Sequence, residues 1–158
     1  LVAEFDARLA AVAVRAAGAS PRRVALLEWI APPMVAGGWM PELARIAGAQ
    51  PVIVETPDRF SQVDWGDVAA ADPELIVLPC GFDVARSLEE LEDRDVAAGV
   101  RSIRAVREGR CVVVDGNAYF NRPGPRLADS AEILAAVVHP ALFPEHVARY
   151  REVNAPWS

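Results

Sequence analysis

Two patterns of apolar residues alternate along the chain. Apolar positions at spacings of three and four predict an amphipathic helix over the opening residues, which ends at Gly18. Continuous apolar runs such as residues 24–28 are typical of strands that are buried on both faces of a sheet. Further strands are predicted at residues 52–54, 75–78 and 111–115.

Helical patterns occupy most of the chain between and after these strands. They are predicted over residues 39–47, 64–71, 84–93, 100–107, 127–138 and 144–150. Pro32 and Pro33 predict an irregular segment after the first strand, and the residues beyond 150 predict an irregular tail. Because parallel strands are joined by crossover helices, this order of elements predicts an α/β protein. The expected fold has three layers, with an open, mainly parallel four-stranded sheet and helices on both faces.

The first residues favour a particular domain organisation. The helical pattern is already under way at Leu1, with neither an initiator methionine nor a signal peptide before it. Four strands are also few for a free-standing domain with this type of sheet. We therefore expect a fragment of a larger protein, in which residues 1–18 are the end of a longer helix and residues 19–158 form one lobe.

The charge balance and the cysteines narrow the classes of partner. The net charge of −6 argues against nucleic acid, because that binding relies on basic residues. No apolar run approaches the roughly 20 residues of a membrane-spanning helix. The spacing of Cys80 and Cys111 is not that of a metal site. Both cysteines lie in or beside apolar runs, which favours two buried free thiols and leaves a disulfide as the alternative.

The loops that follow the four strands are unusual. Ligands bind at the carboxyl ends of the strands in open parallel sheets, and the loops there are residues 29–38, 55–62, 79–83 and 115–126. The loops at the other edge are short and ordinary. Aromatic residues concentrated at one edge favour a rigid, largely apolar surface for a flat or bulky ligand over a simple seal on the core. These aromatic residues are Trp29, Trp39, Phe60, Phe82, Tyr119 and Phe120.

Residues suited to catalysis or metal binding are sparse. His139 and His146 lie in the C-terminal helical region, away from the aromatic edge, and no catalytic or phosphate-binding motif occurs. Cys80 and Asp115 at strand ends leave a small α/β enzyme as an alternative, although no histidine accompanies Cys80 at that edge. We therefore expect neither enzyme activity nor a metal site.

Several stretches of the sequence resemble one family of binding proteins. The strand and pocket loop that open the second lobe of vitamin B12-type binding proteins are similar to residues 24–43, VALLEWIAPPMVAGGWMPEL. The helix and strand that follow in that family resemble residues 65–78, WGDVAAADPELIVL. Two later pocket loops resemble residues 79–83, PCGFD, and residues 114–127, VDGNAYFNRPGPRL. The opening helix resembles the end of the helix that joins the two lobes.

The resemblance implies the C-terminal lobe of a class III periplasmic substrate-binding protein of an ABC transporter. The implied ligand is a corrinoid such as cobalamin, or an iron chelate such as a siderophore complex, held between two lobes as cargo without a catalytic cofactor. Arg122 and Arg126 would meet ligand carboxylates or amides, or else cap the turn of the next helix. The implied cleft lining on this lobe comprises Trp29, Pro33, Trp39, Phe60, Phe82, Tyr119 and Phe120.

The resemblance also implies partners and a location. Family members deliver their ligand to an ABC permease and often dock through an exposed acid on each lobe. Gly66 occupies the expected position here, and Asp67 beside it is the candidate docking residue. We expect an extracytoplasmic protein, periplasmic or lipid-anchored, with a cytoplasmic corrinoid binder that has no transport role as the alternative. Without the N-terminal lobe, the exposed aromatic face predicts weak binding or self-association through that face.

Overall fold

The computed structural model describes residues 2–54, 62–122 and 124–158. None of the helices in these ranges combines the length and the apolar character that crossing a membrane requires. The strands are β1 (Arg22–Ile30), β2 (Pro33–Val35), β3 (Ala49–Pro51), β4 (Leu75–Leu78), β5 (Cys111–Val114) and β6 (Asn154–Pro156). The helices are α1 (Val2–Ala16), α2 (Met40–Ile46), α3 (Trp65–Ala70), α4 (Val84–Leu91), α5 (Arg94–Val100), α6 (Arg104–Arg107), α7 (Gly116–Tyr119), α8 (Leu127–Val138) and α9 (Pro144–Arg149).

The sheet is mixed, with a parallel centre. Strand β1 pairs in parallel with both β3 and β4, and β5 pairs in parallel with β4. Strand β2 pairs antiparallel with the last residues of β1, and β6 pairs antiparallel with β5. The four parallel strands correspond to the four strands expected from the sequence, and the α/β fold with a mainly parallel sheet is confirmed.

Two apolar clusters pack on opposite faces of this sheet. Val24 and Leu26 of β1 belong to one cluster, whereas Ala25 and Leu27 belong to the other, because successive side chains of a strand point to opposite faces. The first cluster includes buried residues of α1, α2 and α8, and the second includes buried residues of α4, α5 and α6. Helices therefore cover both faces of the sheet and complete the three layers.

Some boundaries differ from those that the sequence predicts. Strand β3 covers Ala49–Pro51 rather than residues 52–54, because Gly48 at φ +81° ends the preceding turn and Ala49 pairs at once with Arg22 of β1. Of the helix predicted over residues 100–107, only Arg104–Arg107 is helical as α6, and the separate helix α5 ends at Val100. The side chain of Asp93 defines the start of α5 by accepting from the backbone nitrogens of Asp95 and Val96.

Two segments predicted as irregular form edge strands. Pro33 begins β2, and the first residue of an edge strand tolerates a proline because it need not donate to the ladder. The tail forms β6, which places the backbone nitrogen of Trp157 2.9 Å from the carbonyl oxygen of Cys111. Neither segment has the length or the apolar run that identifies a strand from sequence alone.

Candidate functional site

The carboxyl ends of β1, β4 and β5 lie at one edge of the sheet, since the three strands are parallel neighbours. We call this the carboxyl edge and define it by residues 28–39, 79–83 and 115–122, at and after the ends of these strands. The loop after β3 contributes Phe60 to the predicted site, and that residue lies outside the described ranges. The remaining predicted site residues can be placed individually.

Close packing at Gly116 joins the loop after β5 to the loop after β4. A β-carbon built on the buried Gly116 would lie 1.7 Å from the carbonyl oxygen of Cys80 and 2.5 Å from that of Pro79. The side-chain nitrogen Nδ2 of Asn121 donates to the same Cys80 oxygen over 3.2 Å. Asp115 accepts from the backbone nitrogen of Ala118 over 2.9 Å and so starts α7. These contacts fix the loop after β5 against the loop after β4.

The first group of aromatic residues at the edge is formed by Trp29 and Phe82. Their ring centroids are 4.7 Å apart at an interplanar angle of 49°, and both residues are half-buried. The Trp29 indole nitrogen donates to the carbonyl oxygen of Ala31 over 3.2 Å, which fixes the ring. Gly81 packs against the Trp29 ring, because a β-carbon on Gly81 would come within 3.1 Å of the indole. The pair forms an apolar surface on a rigid base.

The second group surrounds a cavity of about 260 Å³, which we call the Trp39 cavity. The indole nitrogen of Trp39 donates to the carbonyl oxygen of Phe120 over 3.2 Å, so the first loop is tied to the third. Glu28, at the end of β1, accepts from the backbone nitrogen of Gly37 over 3.4 Å. The cavity is lined by Glu28, Gly37, Gly38, Trp39, Met40, Phe120 and Asn121.

Glu28 and Asn121 are site residues that the sequence interpretation missed. Glu28 stands within an otherwise apolar strand run, and a single acid in such a run is a signal that its side chain leaves the core. Asn121 follows the predicted aromatic pair directly. Its signal is weaker, because asparagine is common in loops for conformational reasons alone.

Phe120 is a buried member of the set that the sequence predicts to line the site. Its side chain is fully buried in the cluster on the α1, α2 and α8 face, although the sequence placed it in the cleft. The short helix α7 ends at Tyr119 and returns the chain toward the core, so that Phe120 contributes its backbone to the edge. Pro33 is likewise buried, within β2. Tyr119 is half-buried and packs edge-on against Tyr150, with ring centroids 6.2 Å apart.

The two arginines of the last loop differ in their contacts. Arg126 occupies the N-cap position of α8, and its guanidinium donates to the carbonyl oxygen of Ala118 over 3.2 Å. This contact is to the preceding helix α7, and the Arg126 side chain makes no capping hydrogen bond to α8. Arg122 is exposed one turn earlier, close to Asn121. Contact of either arginine with a ligand remains a prediction.

Cys80 has the properties of a structural thiol. It is fully buried, and its Sγ lies 3.8 Å from the carbonyl oxygen of Leu27. Burial, together with the nearby Glu90 carboxylate, raises the pKa of the Cys80 thiol to about 12. Burial also raises the pKa of the Cys111 thiol to about 12, and both cysteines are free. A nucleophilic thiol requires the opposite shift in pKa, and Asp115 is engaged as a helix cap, so both residues proposed for an enzyme have structural roles.

The histidines lie away from the carboxyl edge, as predicted. The His139 ring is 3.1 Å from the carbonyl oxygen of Gly48, before the start of β3, and the His146 ring stacks on Phe143 at 5.6 Å. Within residues 2–54, 62–122 and 124–158, no group of three or more His, Cys, Asp or Glu side chains is placed to hold a metal ion.

Asp67, the candidate docking residue, lies at the exposed start of α3. Its backbone nitrogen donates to the Asp64 carboxylate over 2.7 Å, and its own carboxylate accepts from the backbone nitrogen of Asp64 over 3.3 Å. This reciprocal arrangement is a capping box, with Asp64 as the N-cap residue. Asp67 therefore stabilises the start of α3, and its contact with a permease remains a prediction.

No protein-family model matches this chain, and a comparison with curated proteins finds no relative. Solved structures, in contrast, give clear similarities in fold. The vitamin B12-binding protein BtuF of Vibrio cholerae superposes with a TM-score of 0.69 at 19% identity, covering 87% of this chain and 52% of that protein.

Two further solved structures show the same relation. A periplasmic heme-binding protein from Pseudomonas aeruginosa has a TM-score of 0.68 at 23% identity, covering 98% of this chain and 53% of its own. An ABC transporter substrate-binding protein from Listeria monocytogenes has a TM-score of 0.72 at 15% identity, and the match covers 87% of this chain and 55% of that protein. The chain thus spans about half the length of the proteins that it matches. It has the fold found in class III periplasmic binding proteins, as the resemblance implied.

Proposed function

We propose that this chain is the C-terminal ligand-binding lobe of an ABC-type solute-binding protein for a corrinoid or iron chelate. The observation that carries the proposal is the aromatic carboxyl edge, which bears both the Trp29–Phe82 pair and the Trp39 cavity at the ends of the parallel strands. In parallel sheets this edge is where ligands bind. A flat macrocycle has the large apolar surface that such aromatic residues contact.

The mechanism is capture without bond chemistry. The rings of Trp29 and Trp39 are both held by indole hydrogen bonds to backbone carbonyls, so little side-chain freedom is lost when a ligand packs on them. Tyr119, Arg122 and Arg126 of the loop after β5 are proposed to border the same surface. Phe60 is proposed to join them from the loop after β3. Residues 1–18 are proposed as the end of an interlobe helix, and a second lobe would cover the ligand from the other side.

The proposed transport role adds a partner and a location. The ABC permease would receive the loaded protein at a surface that includes Asp67 at the exposed start of α3. The protein would act outside the cytoplasm, in the periplasm or anchored to the membrane by lipid. Periplasmic proteins that bind vitamin B12 and heme share this fold, which supports the proposal.

Calorimetric titration of the full encoded protein with cobinamide, cobalamin and haem tests this function. We expect saturable binding of at least one chelate, and we expect Trp39→Ala to weaken it by about 10-fold or more, because a buried aromatic contact is lost. Trp157→Phe is the matched control, since Trp157 pairs with the start of β5 at the opposite edge. Absence of heat with all three chelates would overturn the proposal, as would equal losses in the two variants.

A further inference from the structure

Two carboxylates on α8 face both α1 and the end of α9. Asp129 and Glu132 are three residues apart, so they lie on the same side of the helix. The Arg8 guanidinium of α1 donates to Glu132 Oε1 over 2.8 Å and also to Asp129 Oδ1. The hydroxyl of Tyr150, the C-cap residue of α9, lies 2.6 Å from Glu132 Oε2 and 3.0 Å from Asp129 Oδ1. Arg8 and Tyr150 therefore share two acceptors, which we call the Asp129–Glu132 pair.

This pair depends on its partners because it is largely removed from water. Glu132 is buried and the other carboxylate is half-buried. Like charges three residues apart on a helix repel each other, so nearby cations and hydrogen-bond donors have to offset the repulsion. Burial and the hydrogen bond to Glu132 raise the pKa of the Tyr150 hydroxyl above its ordinary 10. Tyr150 consequently keeps its proton near neutral pH and remains a donor to the pair.

The cationic partners of the pair are not equivalent. Arg149 of α9 lies 3.3 Å from Glu132, but its side chain is 58% exposed, against 28% for Arg8. Water screens the more exposed charge, so Arg8 is the stronger partner. The His146 ring of α9 is 3.9 Å from Glu132, beyond hydrogen-bond distance. Removal of Arg8 would therefore leave the repulsion within the pair less well offset, and Tyr150, which the pair holds, would be displaced.

The ring of Tyr150 connects this pair to the carboxyl edge. It is buried and packs edge-on against Tyr119, with ring centroids 6.2 Å apart. The backbone of Tyr119 is held separately, because its carbonyl oxygen accepts from the buried Ser130 hydroxyl of α8. Helix α8 thus fixes the backbone of Tyr119 through Ser130, and it fixes the ring of Tyr119 through Tyr150.

We infer that Tyr150 is a positioning residue for the carboxyl edge, which holds the ring of Tyr119 in place while Arg8 of α1 offsets the Asp129–Glu132 pair. The positioning follows from the contacts between these residues and can be tested without a ligand. Its consequence for binding rests on the proposed function, in which Tyr119 borders the ligand surface. Helix α1 then contributes to ligand affinity without touching the ligand.

NMR of the full encoded protein with isotope-labelled tyrosine rings tests the positioning. The signals of Tyr119 are those that disappear in Tyr119→Phe. Tyr150→Phe removes the hydroxyl and retains an aromatic ring, so a ring that kept its place would leave the Tyr119 signals close to their wild-type positions. We expect these signals to move in Tyr150→Phe and in Arg8→Gln. Arg8→Lys should return them part of the way, because lysine keeps the charge but not the planar fork of donors.

Arg15→Gln is the matched control. Arg15 also joins α1 to α9, but its partner is the exposed Glu145. The substitution removes the same charge and should leave the Tyr119 signals in place. Should either Tyr150→Phe or Arg8→Gln fail to fold, the other still tests the inference. Tyr119 signals that stay in place in the folded variants, or that move as far in Arg15→Gln, would overturn it.

Titration of the same proteins with cobinamide and haem tests the consequence for binding. We expect Arg8→Gln to weaken binding of whichever chelate the wild type binds by about 3-fold or more, and we expect Arg15→Gln to leave the dissociation constant unchanged. Unchanged affinity in Arg8→Gln would overturn the contribution of α1 to binding. Absence of binding by the wild type would overturn the proposed function, whereas the Tyr119 signals would still decide whether Tyr150 positions that ring.

Discussion

Gly116→Ala is expected to destabilise the protein by about 3 kcal/mol or more, because the new methyl group has no space. A β-carbon at this position would lie 1.7 Å from the Cys80 carbonyl oxygen, far inside van der Waals contact. The clashing atom belongs to the backbone, so that a rotation of a side chain cannot relieve it. The loop after β5 would have to move away from the loop after β4, and the hydrogen bond from Asn121 to Cys80 would be lost with it.

Chemical denaturation of wild type and variant measures this effect directly. Gly18→Ala is the matched control, because it adds the same methyl group after α1 at an ordinary 3.4 Å from the nearest atom, the Arg15 carbonyl oxygen. The control should change the free energy of unfolding by less than about 1 kcal/mol. A Gly116→Ala variant as stable as this control would show that the two loops are not locked as described.

Glu132→Gln is expected to cost about 2 kcal/mol, because a buried carboxylate with charged partners would become a neutral amide. Glu132 is 5% exposed on α8. It accepts from the Arg8 guanidinium of α1 over 2.8 Å and from the Tyr150 hydroxyl over 2.6 Å. Arg149 of α9 adds a third contact at 3.3 Å. The carboxylate therefore joins α1 and α9 to α8.

The pH dependence of this effect has a defined sign. Burial opposes ionisation of Glu132, but hydrogen bonds from Arg8 and Tyr150 outweigh it and hold the pKa of the carboxyl below its ordinary 4.5. A depressed pKa gives stability that is fully present above the unfolded-state pKa and disappears as pH falls through the folded-state pKa. The difference in stability between wild type and Glu132→Gln should therefore be constant near neutral pH and shrink below about pH 4.5.

Glu145→Gln provides the comparison for Glu132. Glu145 also pairs with an arginine of α1, Arg15, but both side chains are exposed. Exposed ion pairs contribute little, so the control should be indistinguishable from wild type across the same pH range. Thermal or urea unfolding of wild type, Glu132→Gln and Glu145→Gln between pH 3 and pH 7 measures these differences in stability. Equal stability of the two variants would contradict the role given to Glu132.

The regular parts of this fold are predictable from local pattern. Strand β4 and helix α8 have the boundaries that the sequence predicts, residues 75–78 and 127–138, because β4 is an unbroken apolar run and α8 ends at His139, before Pro140. The capping role of Asp64 follows from its position before a helical pattern. These features depend on residues that are close together in the sequence, so they can be predicted from one sequence.

Features that depend on contacts between distant parts of the chain cannot be predicted from the local sequence pattern. Strands β2 and β6 have three residues each, and they exist because β1 and β5 offer unpaired edges. The burial of Phe120 depends on how α7 turns the chain, and sequence alone does not separate a core aromatic from a surface one. Glu28 joins the site because Gly37 returns beside it through the hairpin of β1 and β2. Long-range contacts of this kind determine which loop residues form the edge.

The most direct test of the central claim is where a chelate contacts the protein. In the full encoded protein, the indole N–H signals of Trp29, Trp39 and Trp157 can be assigned by single substitutions with phenylalanine and followed by NMR during titration with cobinamide. The account predicts that the Trp29 and Trp39 signals shift, because both rings lie at the carboxyl edge, and that the signal of Trp157 at the opposite edge stays in place. A saturating ligand that shifts Trp157 alone, or none of the three, would contradict it.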